Sequence, residues 1–106
     1  MSTARIVLTT AGSQEEAKKI AHALVERKLA ACVNVMPQIE SVYRWQGKVE
    51  SATECLLIIK TQAEAFERVR DAIQELHSYD LPECLMIEVS GGSERYLKWI
   101  GENVFL

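Results

Sequence analysis

The side chains that could do chemistry in this 106-residue chain are few and widely spaced. Its three cysteines, Cys32, Cys55 and Cys84, lie 23 and 29 residues apart, and none belongs to the C-x-x-C pair typical of a zinc site. An odd number of separated cysteines also argues against a disulfide framework. We therefore expect three reduced thiols with a structural role in separate strands.

His77 is the histidine best placed for a function. It stands at the end of a predicted helix, before a turn that reads His77-x-Tyr79-x-x-Pro82-Glu83. In one interpretation it is a ligand or contact residue at a cleft, together with Tyr79 and Glu83. In the other it only caps the helix, because the helix dipole favours an imidazolium at a C-terminus.

Lys60 stands just before Thr61-x-x-Glu64, the pattern of a capping box that would open a helix. The ammonium and the helix N-terminus together could hold an anion, while a surface lysine paired with a carboxylate is an equally good interpretation. The chain has no G-x-S-x-G, P-loop, G-x-G-x-x-G or H-E-x-x-H motif. We therefore predict that it is not an enzyme.

Tyr43 and Trp45 flank Arg44 near a predicted hairpin tip at Gln46-Gly47. Such aromatic residues could stack on RNA bases, but RNA-recognition modules carry them on central strands. The net charge of −3 also argues against nucleic acid. We expect Tyr43 and Trp45 to anchor a subunit interface, where aromatic residues and arginine dominate the contacts.

The composition predicts one folded domain over residues 1–106, with 48% hydrophobic and 25% charged residues. No apolar run approaches the roughly 18 residues of a membrane span. The first twenty residues lack the apolar core of a signal peptide. We therefore expect a cytoplasmic protein with neither a membrane nor a nucleic acid as partner.

The elements that must position these residues follow from periodicity. Apolar runs predict strands, and the i, i+3, i+4 spacing after Ser13 and Thr61 predicts amphipathic helices. A third, short helix is predicted after Ser93. The order is β-α-β-β-α-β plus a helix, which predicts an α+β, ferredoxin-like fold with a four-stranded antiparallel sheet and both main helices on one face. The predicted strands cover 5–10, 31–45, a second hairpin arm that includes 55–59, and 84–89.

The hairpin is the largest of these elements. Its first arm, residues 31–45, would reach roughly 50 Å if extended. A globule of this length has a diameter of roughly 33 Å. Pro37 cannot donate to a ladder, so we expect the arm to bend there, with residues 39–45 projecting from the main sheet. Another copy of the chain is the best candidate to cover the projecting part.

The assembled pattern resembles the CutA family of divalent-cation tolerance proteins over nearly the whole length. The resemblance implies a ferredoxin-like domain in a tight homotrimer like that of PII signalling proteins, with long hairpin strands of neighbouring subunits paired edge to edge. Pro37, Tyr43, Trp45 and Trp99 are the residues that we expect at the trimer interface. The segments that carry the resemblance are 28–34, 41–48, 57–61, His77-x-Tyr79-x-x-Pro82-Glu83 and Tyr96-x-x-Trp99.

The resemblance also implies a function in divalent-metal, notably copper, tolerance. Copper binding in some members is attributed to one cysteine and two adjacent histidines, and those positions here are Thr9, Leu76 and His77. One imidazole makes a weak Cu(II) site, so we expect no required cofactor and at most weak binding of Cu(II) or another divalent cation. The alternative is a PII-like signalling or adaptor module that holds a small anionic ligand at inter-subunit clefts, with Lys60, Tyr79 and Glu83.

Overall fold

A computed structural model describes residues 2–106 of the chain, so Met1 of the predicted domain lies outside the described part. Four strands form one antiparallel sheet in the order β2-β3-β1-β4. Three α-helices complete the fold, which confirms the predicted α+β class. The elements are β1 (Ala4–Ala11), α1 (Gln14–Glu26), β2 (Cys32–Trp45), β3 (Lys48–Gln62), a 3-10 turn (Ala63–Ala65), α2 (Phe66–Leu76), β4 (Leu85–Glu88) and α3 (Glu94–Glu102).

The core lies between one face of the sheet and the helices α1 and α2. Val7 of β1 stands opposite Ile59 of β3 in the antiparallel register, and residues directly opposite share a face. The helices bury the apolar stripes that their 3.6-residue spacing predicts. The fully buried large apolar residues are Val7, Leu57 and Ile59 of the sheet, Ile20 and Leu24 of α1, and Val69 and Ile73 of α2.

The other face of the sheet is only partly covered. Leu56 and Ile58 of β3 are half-buried on this face, and α3 lies over the end of it that carries Lys60. Strand β4 at the sheet edge is exposed along its length, with the Leu85 side chain 58% exposed. A strand edge and an apolar face that stay open invite pairing with another chain.

The β2–β3 hairpin extends well beyond the rest of the sheet. Strand β1 ends opposite Cys55, so the hairpin segment 39–54 has no β1 neighbour. The molecule is correspondingly elongated, at 44 × 25 × 22 Å. Gln46 and Gly47 close the hairpin with positive φ angles of 50° and 79°, as in the tight turns that match the twist of the strands. Residues 39–45 project as predicted.

A bulge interrupts β2 where Pro37 predicts a bend. The register with β3 shifts between Met36 and Ile39, and Gln38 adopts a φ of +59°. The extra residue accommodates a proline that has no N–H to donate, and a bulge bends its strand. Pro37 in the sequence therefore predicted the position at which β2 leaves the main sheet.

The predicted capping box at Thr61 is wrong. Thr61 lies inside β3, and its hydroxyl donates to the Leu29 carbonyl over 2.6 Å instead of capping a helix. Pairing of β3 with β1 continues to Gln62, which holds Thr61 extended, and α2 is entered through a 3-10 turn with no side-chain cap. Ser13 and Ser93 do cap the helices predicted after them: Ser13 Oγ accepts from Glu16 N and Ser93 Oγ from Tyr96 N.

Candidate functional site

His77 lies at the C-cap of α2 with its side chain fully buried. Its Nε2 is 2.5 Å from the Thr10 carbonyl oxygen, and its Nδ1 is 3.0 Å from the Tyr79 backbone N. A carbonyl only accepts and an N–H only donates, so these contacts place a proton on Nε2 and use Nδ1 as an acceptor. Both ring nitrogens therefore already have partners within the chain.

Glu16 of α1 holds the turn that follows His77. Its carboxylate accepts from the Ser78 backbone N over 2.6 Å and from Ser78 Oγ over 3.0 Å. The same carboxylate lies 3.5 Å from Nδ1 of His77. A carboxylate in the first turn of a helix is also stabilised by the helix dipole. Glu16 thus ties the start of α1 to the end of α2.

Tyr79 extends this arrangement to β3. Its hydroxyl donates to Glu54 Oε2 over 2.8 Å, and its ring packs on that of His77 with centroids 4.6 Å apart. Burial, and then the hydrogen bond to the Glu54 carboxylate and its charge, raise the pKa of Tyr79 to about 12. A Cβ added at Gly12 would lie 3.1 Å from the Tyr79 hydroxyl, so glycine leaves room for it. We call Glu16, Glu54, His77, Ser78 and Tyr79 the Tyr79 cluster.

Lys60 lies away from the Tyr79 cluster within one chain. Lys60 is six residues from Glu54 along β3, which is roughly 20 Å. Its Nζ lies 3.3 Å from the Tyr96 hydroxyl and 5.5 Å from the centre of that ring. Glu83 is exposed and makes no hydrogen bond or ion pair with any residue of 2–106. A cleft that combines Lys60, Tyr79 and Glu83 would need more than one chain.

The three positions associated with copper in the resemblance do not form a metal site. Thr9 faces the core, is 0% exposed, and its hydroxyl has no hydrogen-bond partner. Leu76 offers no donor atom, and the His77 nitrogens are both occupied. Across residues 2–106, no group of three His, Cys, Asp or Glu side chains is arranged to hold a metal ion. These residues do not fit Cu(II), which prefers several nitrogen or oxygen donors.

The predicted interface residues are on the surface. Trp45 at the hairpin tip is 54% exposed, and Tyr43, Pro37 and Trp99 are also exposed. Tyr43 and Trp45 lie on one face of the hairpin, opposite Glu50 and Lys48 of β3 in the register. Trp99 lies on α3, with its ring 5.4 Å from that of Tyr96. They are available for contact with another chain.

Residues 5–103 match the family model described as "CutA1 divalent ion tolerance protein". The chain belongs to the CutA1 family. A divalent-cation tolerance protein CutA of Thermus thermophilus is 45% identical over 98 residues, which are 92% of this chain and 95% of that protein. The chloroplastic protein CutA of Arabidopsis thaliana is 46% identical over 95 residues, or 90% of this chain. The chain spans about half of that plant protein, 52% of its length.

A solved structure gives the same result for the fold. The structure of a divalent cation tolerance protein from Thermus thermophilus superposes with a TM-score of 0.95 at 43% identity. The superposition covers 96% of this chain and 99% of that one. The CutA1 fold therefore spans nearly the whole chain. Within residues 2–106, no helix has both the length and the apolar character that a membrane span requires.

Glu54 and Glu16 are the residues of the Tyr79 cluster whose roles the sequence did not reveal. Glu54 directly precedes the apolar run 55–59. Carboxylates are rarely buried without a partner, so a single glutamate beside buried strand residues could have indicated a role for Glu54. Glu16 fits a capping box by spacing, but its carboxylate bonds to Ser78 instead. Both contacts join residues distant in sequence, so local patterns could not supply them.

Proposed function

We propose that this member of the CutA1 family serves divalent-cation tolerance as a cytoplasmic homotrimer that catalyses no reaction. The observation that carries the proposal is the match of residues 5–103 to the divalent ion tolerance family. The Thermus thermophilus relative named for the same role has nearly the same length, since 95% of it is covered. Fold alone would not support a function, but similarity along the whole chain does.

The open surfaces of the chain support the trimer. The sheet ends in two different edge strands, β2 and β4. A heterologous contact between different patches closes into a ring when the rotation allows it, and three copies joined β4 to β2 would cover both edges. The same contact would bury exposed apolar side chains such as Leu85 of β4 and Val42 of the hairpin.

Metal binding in this proposal is weak and independent of His77. No three ligating side chains converge within residues 2–106, so one described chain offers at most pairs of donors. The His77 ring nitrogens bond to Thr10 and Tyr79, and coordination would break one of these contacts. Divalent cations are thus cargo at low affinity, and no cofactor is required.

Calorimetric titration with Cu(II) tests the role of His77. The expected result is that His77→Gln leaves the copper isotherm unchanged, because neither ring nitrogen is available in the native protein. His22, exposed on α1, is the matched control, and His22→Gln reports how much of any binding is surface histidine. Loss of copper binding in His77→Gln but not in His22→Gln would refute this account of the metal.

Growth of a bacterial strain that lacks its own CutA1 tests the function. Expression of the wild type should raise the copper concentration that halves the growth rate, and His77→Gln should do so equally. A Tyr43→Glu/Trp45→Glu variant is expected to lose the effect if the assembled form is the active one. Tolerance unchanged by expression of the wild type would reject the proposed function.

The second candidate is a signalling or adaptor module that binds a small anion, as PII proteins do. Lys60 favours it, because within residues 2–106 its ammonium has the neutral Tyr96 hydroxyl as hydrogen-bond partner and no carboxylate within salt-bridge distance. Such a lysine is a ready partner for an anion. In this candidate the neighbouring subunits would bring Tyr79 and Glu83 of one copy towards Lys60 of another.

A further inference from the structure

A cavity of about 260 Å³ lies between α3 and the sheet, away from the Tyr79 cluster. Its walls are mainly apolar, with Ile6 of β1 on one side and Leu97 and Ile100 of α3 on the other. Gly92, in the loop before α3, leaves one wall without a side chain. The volume is just below the roughly 300–1,000 Å³ of drug-sized sites, so a small molecule would fit.

Two cations also line this cavity, Arg5 and Lys60. Lys60 Nζ lies 3.3 Å from the Tyr96 hydroxyl and 5.5 Å from the centre of that ring, and Tyr96 also lines the cavity. Arg5 donates from Nη1 to two backbone carbonyls, whereas its Nε is buried without a hydrogen-bond partner. Glu88 stands opposite Arg5 in the register but makes no ion pair with it within the described residues. Within the described residues, neither Arg5 nor Lys60 forms an ion pair with a carboxylate.

The combination of apolar walls and unpaired cations selects one class of ligand. An inorganic anion would satisfy the charge but leave the apolar walls in contact with water. A neutral apolar molecule would fill the cavity but leave the cations without a partner. A small carboxylate on an apolar body does both, because the carboxylate pairs with the ammonium and the body buries the walls.

We propose that this cavity binds a small organic carboxylate, with Lys60 as its charge partner and α3 as its apolar wall. The proposal deepens the second candidate function by placing an anion site and naming its ligand class. Lys60 and the α3 residues Leu97 and Ile100 line the same cavity.

Titration with phenylacetate tests the site on the intact protein, with phenylacetamide as the neutral analogue of the same shape. Phenylacetate should bind saturably in calorimetry and shift the backbone amide resonances of Gly91 and Gly92. Phenylacetamide should bind about tenfold more weakly, because it carries no negative charge to pair with the Lys60 ammonium. Inorganic phosphate should compete only weakly, because it leaves the apolar walls unfilled.

Two variants and one control assign the binding to the cavity. Lys60→Gln should weaken phenylacetate about tenfold, whereas Lys18→Gln, on exposed α1, should leave it unchanged. Gly92→Val should also weaken it, because its added Cβ lies about 3.6 Å from Leu97 and narrows the cavity. An unchanged thermal midpoint would show that Gly92→Val is folded.

The proposal would be overturned by a lack of saturable binding, by equal affinity for acid and amide, or by unchanged affinity in Lys60→Gln. Resonance shifts at the Tyr79 cluster instead of Gly91 and Gly92 would place the ligand elsewhere and would overturn it too. The native mass distinguishes a failure of the cavity proposal from a failure of the proposed trimeric function. A trimer that binds no phenylacetate would overturn the cavity proposal and leave the tolerance function untouched.

Discussion

At the scale of single residues, Thr9 and Thr61 are both 0% exposed, but only one of the two hydroxyls has a hydrogen-bond partner. Thr61 donates to the Leu29 carbonyl, and Thr9 Oγ1 has no partner. Thr9→Val, which removes an unsatisfied hydroxyl at equal volume, should raise the free energy of unfolding by about 1 kcal/mol. Thr61→Val should lower it by about 1–3 kcal/mol, because the Leu29 carbonyl is then left unpaired.

Urea unfolding at one fixed protein concentration measures both changes, since an oligomer's apparent stability depends on concentration. Each variant serves as the control for the other, because both replace a buried threonine in neighbouring strands. Equal destabilisation by the two substitutions would contradict the assignment of Thr9 as unpaired.

Tyr79 gives a prediction for alkaline pH. The pKa of its phenol is raised from 10.0 to about 12, mainly by burial and then by the hydrogen bond to Glu54. A raised pKa in the folded state means that the neutral form stabilises the fold. The contribution of the neutral Tyr79 phenol to the free energy of unfolding is complete below about pH 10 and is lost as the pH rises through 12.

Absorbance at 295 nm, which follows tyrosinate, measures this titration. Of the three tyrosines, one should ionise near pH 12 in the wild type, and Tyr79→Phe should remove that step. Glu54→Gln should move the step to lower pH, and Tyr96→Phe should leave it in place. A step near pH 12 that survives in Tyr79→Phe would show that another tyrosine carries the raised pKa.

The residue scale is also where the sequence was least informative about the candidate site. His77 and Tyr79 stand out by type and by their place before Pro82, and the structure does bring them together. Their hydrogen-bond partners do not stand out in the sequence, because Thr10 is 67 residues from His77 and Glu54 is 25 residues from Tyr79. The proton position on His77 depends on such long-range contacts. No spacing rule could therefore predict that both its nitrogens are occupied.

At the scale of elements, periodicity predicted most of the fold because each helix and strand shows its buried face locally. The failure at Thr61 has a physical reason: pairing between β1 and β3 continues to Gln62 and overrides a local capping pattern. The start of the last strand was also predicted wrongly: it was placed at Cys84, which is apolar, but β4 begins one residue later, at Leu85. Tertiary pairing, which a local pattern does not contain, decides where such elements begin and end.

The bulge in β2 gives a prediction about a single backbone angle. Gln38 has a φ of +59°, which costs a residue with a Cβ about 1–2 kcal/mol relative to glycine. Gln38→Gly should therefore raise the free energy of unfolding by up to about 1 kcal/mol after the entropy of glycine is included. Glu40→Gly, two residues further along β2, is the matched control and should lower it by roughly 0.5–1 kcal/mol. Destabilisation by Gln38→Gly would mean that the side chain of Gln38 has a role in the assembly.

At the scale of the whole molecule, the hairpin tip should decide assembly. Tyr43 and Trp45 share one face of the hairpin, and Arg44 lies on the other. Tyr43→Glu/Trp45→Glu should place two carboxylates in an apolar contact and dissociate the proposed trimer, whereas Arg44→Glu, on the opposite face, should leave it assembled. Sedimentation velocity measures the difference. An assembled double variant would show that the tip lies outside the contact.

The native mass of the protein tests the proposed homotrimer. The chain has a mass of 11.9 kDa, so three copies give about 36 kDa. Native mass spectrometry at micromolar concentration should return that species without added metal. A single species at 11.9 kDa under the same conditions would contradict the account.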